Sequence, residues 1–113
     1  MDHTFPRARR LTRKADFQQV FARGTRITRA GLTAWVYPAP FPRLGCAVGR
    51  SYGNHVKRNT FKRRTRAAFR QLYDQLPPAD IVISAPRTGR AIAYHEIEAF
   101  LRYLGTRPPA SRQ

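Results

Sequence analysis

Four cations, Arg58, Lys62, Arg66 and Arg70, recur every four residues, a spacing that lines them along one edge of a helix. Lys57, Arg63 and Arg64 flank that line. Like charges so placed repel by about 0.2–0.5 kcal/mol per pair in an isolated helix, and the repulsion has no structural benefit unless a polyanion lies alongside. Solvated charged faces generally mix signs. Here residues 17–73 hold twelve Lys and Arg and no Asp or Glu, so the pattern supports phosphate binding. Lys57 and Arg58 fall in the first turn, where the helix dipole is already positive. That placement suits a phosphate held by backbone N–H groups and Arg together. Of 22 basic residues 19 are Arg, whose planar fork grips phosphate bidentately and stacks on bases. A genomic Arg bias explains the preference over Lys equally well, but not the missing carboxylates.

A second set is aromatic. Phe17 and Phe21 stand four apart on a helix, and Trp35 lies in a β-rich stretch. Each has two readings on its own pattern: a core residue, or a ring on a cleft wall that stacks unpaired bases with little regard for sequence. Tyr37 shares the face of Trp35 by the period of two.

Groups for protein-borne hydrolysis are absent from the pattern. Two-metal phosphodiester cleavage needs converging carboxylates, whereas Glu96 and Glu98, two apart on a helix, diverge and Asp80 opens a strand. His3 lies near the terminus, and His55 and His95 begin different helices, which fits surface or capping roles. No catalytic residue and no metal ligand set is expected. Cys46, the only cysteine, sits in an apolar strand as a small core residue, and a lone thiol fits a reducing compartment.

These groups have to be carried by one small domain. The 113 residues with 42% hydrophobic content and a formal charge of +16 suit a single folded unit, 1–113, whose self-repulsion a polyanion relieves. Residues 1–10 read as an extended lead-in and 105–113 as a flexible tail. Thr12 caps a helix over 13–23 that stops at Gly24. Residues 27–37 form one bent strand or two, three prolines at 38, 40 and 42 force a turn, and 44–50 return as a hairpin strand. Asn54 caps a long helix over 55–76, with Phe61, Ala68, Phe69, Leu72, Tyr73 and Leu76 as its buried stripe. Residues 80–85 are a compact strand, 87–93 a loop, and 94–104 a final helix. The sum is an α+β fold, an α-β-β-β-α-β-α two-layer sandwich with helices on a four-stranded mixed sheet. No signal peptide or membrane span is evident, which points to the cytoplasm.

The segment Gly53-Asn54-His55-Val56-Lys57-Arg58-Asn59-Thr60-Phe61-Lys62-Arg63-Arg64-Thr65-Arg66 resembles the signature of the bacterial ribonuclease P protein subunit, G-N-A-V-x-R-N-R-x-K-R-x-x-R. Eight of its ten specified positions match; His55 and Thr60 depart from it. Arg10-Leu11, Asp16-Phe17, Val20-Phe21 and Gly24 are similar to the family's pattern R-L-x(4)-D-F-x-x-V-F-x-x-G, and the last strand and helix resemble the family's own. Gly49-Arg50-Ser51 replaces a lysine-rich Ser-Lys-Lys segment.

The resemblance implies a protein that assists a catalytic RNA in removing the 5′ leader of precursor tRNA. It implies that Lys57, Arg58, Asn59, Lys62, Arg63 and Arg66 contact the catalytic RNA and that Phe17, Phe21 and Trp35 line the leader cleft. Mg²⁺ is then bound mainly by the RNA, with no organic cofactor and no obligate protein partner; the protein alone is expected to be inactive. A ribosomal protein or RNA chaperone would explain the charge but not the paired motifs. A major-groove DNA binder would need a preceding helix at helix-turn-helix distance. Membrane binding fails because the basic helix commits its apolar stripe to a core.

Overall fold

The run Asp80-Ile81-Val82-Ile83 is apolar on both faces of a strand, which only a central position can bury. The computed structural model, which describes residues 9–106, puts it there. The elements are α1 (Lys14–Arg23), β1 (Thr25–Arg29), β2 (Leu32–Pro38), β3 (Arg43–Ala47), α2 (His55–Gln71), β4 (Ala79–Ser84) and α3 (Tyr94–Thr106). Their order is the expected α-β-β-β-α-β-α. The strands lie β1-β2-β4-β3, antiparallel except for β3 beside β4. The expectation that residues 44–50 return as a hairpin strand is therefore corrected. β4 occupies the place beside β2, and β3 lies at the edge, reached through the proline-rich link 39–42.

The strand alternation assigns the helices to faces. Ile81 and Ile83 pack with Leu32, Leu44, Phe61, Phe69, Ile97 and Leu101, so α2 and α3 form a layer on one side. Val82 points the other way, to Leu11 and Val20, with Phe17, Trp35 and Tyr37 packed against them. That is the side of α1. Burying Val20, Val82, Ile81 and Ile83 completely contributes roughly 1.5–3 kcal/mol each, which is what pins α1 and α2 to opposite sides of one strand.

Local differences have local causes. α1 begins at Lys14, with Arg13 at the cap position and no side-chain cap, because Thr12 stands one residue too early. Asn54 does cap α2, its Oδ1 accepting from the Lys57 N–H at 2.9 Å. α2 stops at Gln71, and the chain tightens into a 3₁₀ turn at Tyr73–Gln75. Pro77 requires Leu76 to be extended, at φ −91° and ψ 151°, so the helix cannot run to 76. β1 and β2 are joined by Ala30-Gly31, both at positive φ, the two-residue turn that suits hairpin twist. The predicted lead-in and tail fall largely on 1–8 and 107–113, outside the described residues. Arg10 forms a parallel bridge to Leu44, and α3 runs to Thr106, two residues past its expected end.

Asp80, buried at the start of β4, accepts two hydrogen bonds from Arg43, at 2.7 and 2.8 Å. The same guanidinium lies 3.9 Å from Asp16 of α1. The bond to Asp80 holds the arginine's pKa above its ordinary value, against a smaller opposing effect of burial. This cluster ties α1, β3 and β4 together where their ends meet. Asp80→Asn is expected to lower the unfolding free energy by about 3 kcal/mol, the low end for a broken buried pair because Arg43 keeps some hydration. Urea unfolding measures it; a loss below about 1 kcal/mol would show that the pair acts as a surface one.

Candidate nucleic-acid interface

The turns of α2 distribute its cations to two flanks. Phe61, Thr65, Ala68 and Phe69 are buried. On one side of that stripe, Lys62 and Arg66 reach past β3 and line a cleft of about 160 Å³. Its other walls are Arg10, Leu11, Thr12 and Phe17 from the α1 side and Leu44, Gly45 and Cys46 from β3. The cleft therefore sits on the edge strand and takes cations from one face of the sheet and a phenyl ring from the other.

Gly45 allows this close approach. A Cβ there would fall 2.7 Å from the Phe17 ring and 3.2 Å from Leu11, inside contact distance, so any side chain would push the ring off β3. From Phe17 the aromatic surface continues to Phe21, ring centroids 6.5 Å apart, and from Phe21 edge-on to Trp35 at 4.9 Å. Phe21 is 42% exposed, while Phe17 and Trp35 are half-buried. Phe17 and Trp35 pack against the core cluster of Leu11, Val20 and Val82 and remain partly accessible.

Cys46 packs partly on the core and partly against the cleft. Burial pushes its thiol up to about 11, with Arg66 and Lys62 pulling weakly the other way, so it is a protonated apolar group at neutral pH rather than a nucleophile.

Arg58 donates to the Gly53 carbonyl at 3.2 Å. Asn59 pairs its side chain with the His55 ring at 3.0 Å, which makes His55 a surface partner at the helix start. Asn59, Arg63 and Arg70 are exposed along the outer side of α2. Lys57 and Arg64, seven apart and so on a common flank, face away from the cleft. The Lys57 ammonium donates to the Gly89 carbonyl and lies 4.9 Å from the centre of the Tyr52 ring; Arg64 donates to the Ile92 carbonyl at 2.8 Å. Arg90 in turn donates to the Ala30 carbonyl and to Glu96. Three cations thus hold the loop 85–93, whose conformation the sequence did not specify. Glu96 also accepts from the Ala93 N–H, and this bond, with Arg90, holds its carboxyl below the usual range.

The acids are committed in the same way. Asp16 and Asp80 lie against Arg43, Glu96 against Arg90, and Glu98 against Arg102 at 3.6 Å. Three arginines hold these four acids, Arg43 taking two of them, and among the described residues no three His, Cys, Asp or Glu side chains cluster as a magnesium cage would require.

The family model described as Ribonuclease P matches residues 5–108. The chain belongs to the ribonuclease P protein family. It is 32% identical over 99 residues to the ribonuclease P protein component of Shouchella clausii, covering 84% of this chain and 81% of that one. To the component of Bacillus velezensis it is 32% identical over 98 residues, covering 84% of each. The Staphylococcus aureus RNase P protein structure superposes with a TM-score of 0.76 at 25% identity, over 87% of this chain and 93% of that one. The Thermotoga maritima protein shares the fold, with a TM-score of 0.71 at 23% identity, over 83% and 96%. Membership supports neither a ribosomal protein nor a general chaperone.

Within the ribonuclease P signature, the geometry separates Lys57 from Arg63. Lys57→Met is expected to lower stability by about 1–2 kcal/mol through the loss of its carbonyl contact, whereas Arg63→Ala should stay within about 0.5 kcal/mol. Thermal and urea unfolding of the two variants decide; the reverse order would show that the loop does not depend on Lys57.

Proposed function

We propose that the cleft and the ring row bind the single-stranded 5′ leader of precursor tRNA, while the outer flank of α2 binds the catalytic RNA. As a member of its family the chain is the protein subunit of ribonuclease P, the tRNA-processing endoribonuclease, and works with the ribonuclease P RNA on precursor tRNA. The observation that carries the leader reading is Phe17 at the junction: its ring lies over Gly45 in a cleft whose opposite wall is Lys62 and Arg66. A single strand entering there can place a base on the ring and its phosphates on the two cations.

Asn59 and Arg63 face outward from α2, Arg58 stands half-buried at the first turn on the Lys62 edge with a bond to the Gly53 carbonyl, and together they form the contact with the catalytic RNA. Lys62 and Arg66 stand where the two RNAs would meet, able to neutralise phosphate from either. Lys57 is left out of this set because its ammonium serves the loop. Thr60 stands where the family signature has a second arginine; Arg63, one turn away and exposed, supplies a cation on the same helix.

The protein binds and orients; the bond-breaking belongs to the RNA. The family's holoenzyme is Mg²⁺-dependent, and with four of the protein's six carboxylates tied to arginines the inner-shell ligands of the metal come mostly from RNA. The protein favours metal binding indirectly, by reducing repulsion between phosphates brought close together. Among the described residues no helix is long and apolar enough to cross a membrane, and we place the protein in the cytoplasm with its substrate.

Reconstitution with a bacterial ribonuclease P RNA at low Mg²⁺ tests this. Added protein should stimulate leader removal, and the protein alone should leave the precursor intact. Phe17→Ala and Phe21→Ala should each weaken binding of precursor by about tenfold, within the range for one lost base stack, and leave mature tRNA unchanged. Equal losses on both would remove the leader from the cleft.

A further inference from the structure

His55, the first residue of α2, stands where the family signature has Ala. Asn59, Lys62 and Arg66 follow it at helical spacing, so the ring heads the strip of α2 that carries them. The imidazole is exposed, and its Nε2 lies 3.0 Å from Nδ2 of the Asn59 side chain. An alanine here would leave Asn59 without that partner. Of the two departures from the signature, Thr60 removes a cation, whereas His55 adds a titratable ring bonded to a residue of the catalytic-RNA contact.

The pair has two hydrogen-bonded arrangements, because an imidazole nitrogen and a carboxamide can each give or take the bond. With Nε2 bare, the ring accepts from the Asn59 NH₂ and leaves the Asn59 carbonyl oxygen as the outward group. With Nε2 protonated, the ring donates, the amide turns over so that Oδ1 accepts, and the NH₂ is presented outward. Phosphate oxygens only accept, so they pair with the second arrangement and repel the first. A phosphate's charge beside the ring also favours a proton on the remaining ring nitrogen.

Nothing in the fold competes for that proton. The charged groups of the elements that meet at the ring are cations: Arg58 and Lys62 on α2, and Arg50 in the 3₁₀ turn Arg50–Tyr52 that leads into it. The loop 85–93 meets the opposite flank of the helix, through Lys57. Neither α2 nor the turn before it contains a carboxylate, and among the described residues no acid lies within ion-pair distance of His55.

We propose that His55 is a positioning residue for the catalytic RNA: it turns the Asn59 amide donor-side out to a backbone phosphate and takes up a proton from solvent as it does so. The proposal rests on the reading of α2 as the catalytic-RNA contact and deepens it. Because the complex holds the proton, affinity is highest where His55 is charged in the complex. It falls as pH rises through the range in which an imidazole titrates, about pH 5 to 8. One proton limits the change to about tenfold per pH unit. Lysine and arginine keep their charge throughout this range, so the rest of the strip adds no such slope.

The full-length protein and its variants are titrated with a bacterial ribonuclease P RNA from about pH 6 to about pH 8, at fixed salt and Mg²⁺. Relative to His55→Ala, which restores the family residue, the parent should gain about five- to tenfold in affinity between the upper and the lower pH. His55→Gln, whose amide can donate to Asn59 but never charges, should bind like the parent at the upper pH and show the flatter profile of His55→Ala. In an Asn59→Ala background, His55→Ala should change nothing further, because the ring acts through that amide. Melting temperatures of the His55 variants should match the parent's. A parent profile that superimposes on that of His55→Ala overturns the proposal, as does a His55→Ala effect that persists in full without Asn59, or one that follows a lowered melting temperature at every pH. In each case a weaker Arg63→Ala complex keeps the reading of α2 in place. If Arg63→Ala and Asn59→Ala both bind the RNA as the parent does, that reading falls as well.

Discussion

Burial of β4 on both sides is the constraint from which the rest of the molecule follows. Ile81 and Ile83 need one apolar layer and Val82 another. The chain supplies α2 and α3 for the first and α1 for the second. Once β4 is central, β3 has to be an edge, and the crossover from β3 through α2 to β4 leaves one flank of the basic helix beside that edge. α1, on the other side, brings Phe17 to the same edge. Aromatic and cationic groups that are 45 residues or more apart in sequence thus become opposite walls of one cleft, and Gly45 is the residue small enough to let them approach.

Electrostatics reinforces the division. The chain has six carboxylates against 22 cations, and four of them are held by arginines that stabilise the fold: Arg43 at the junction of α1 and the sheet, Arg90 at the start of α3, Arg102 on α3. Lys57 and Arg64 are directed to backbone carbonyls. Lys62, Arg63 and Arg66 lack such partners among the described residues, which leaves their charge uncompensated within the fold. Repulsion among them disfavours the isolated protein and is relieved on binding RNA.

Much of this was legible in the sequence, for identifiable reasons. Element order followed from apolar periodicity and from Asn54, Gly24 and Pro77, which punctuate the backbone by local rules. The signature around residues 53–66 led to the family. What stayed hidden depends on strand order, which local pattern does not encode. The parallel pairing of β3 with β4 could not be read from residues 44–50, whose composition suits a hairpin equally well. For the same reason, nothing near Arg43 announced Asp80, 37 residues away, as its partner. Two surfaces that sequence spacing presented as separate, the basic helix and the aromatic pair, meet at Lys62, Arg66 and Phe17. Nothing near Lys57 in the sequence announced the Gly89 carbonyl, 32 residues away, to which its ammonium donates.

Stacking of leader bases on the rings of Phe17, Phe21 and Trp35 can be followed directly through Trp35, the only tryptophan in the chain. Its fluorescence can be followed in the assembled holoenzyme while precursor tRNA, or mature tRNA as control, is added. Precursor is expected to change the emission of Trp35, and mature tRNA, which lacks the leader, to leave it unchanged. An emission unaffected by precursor, or altered equally by both, would contradict it.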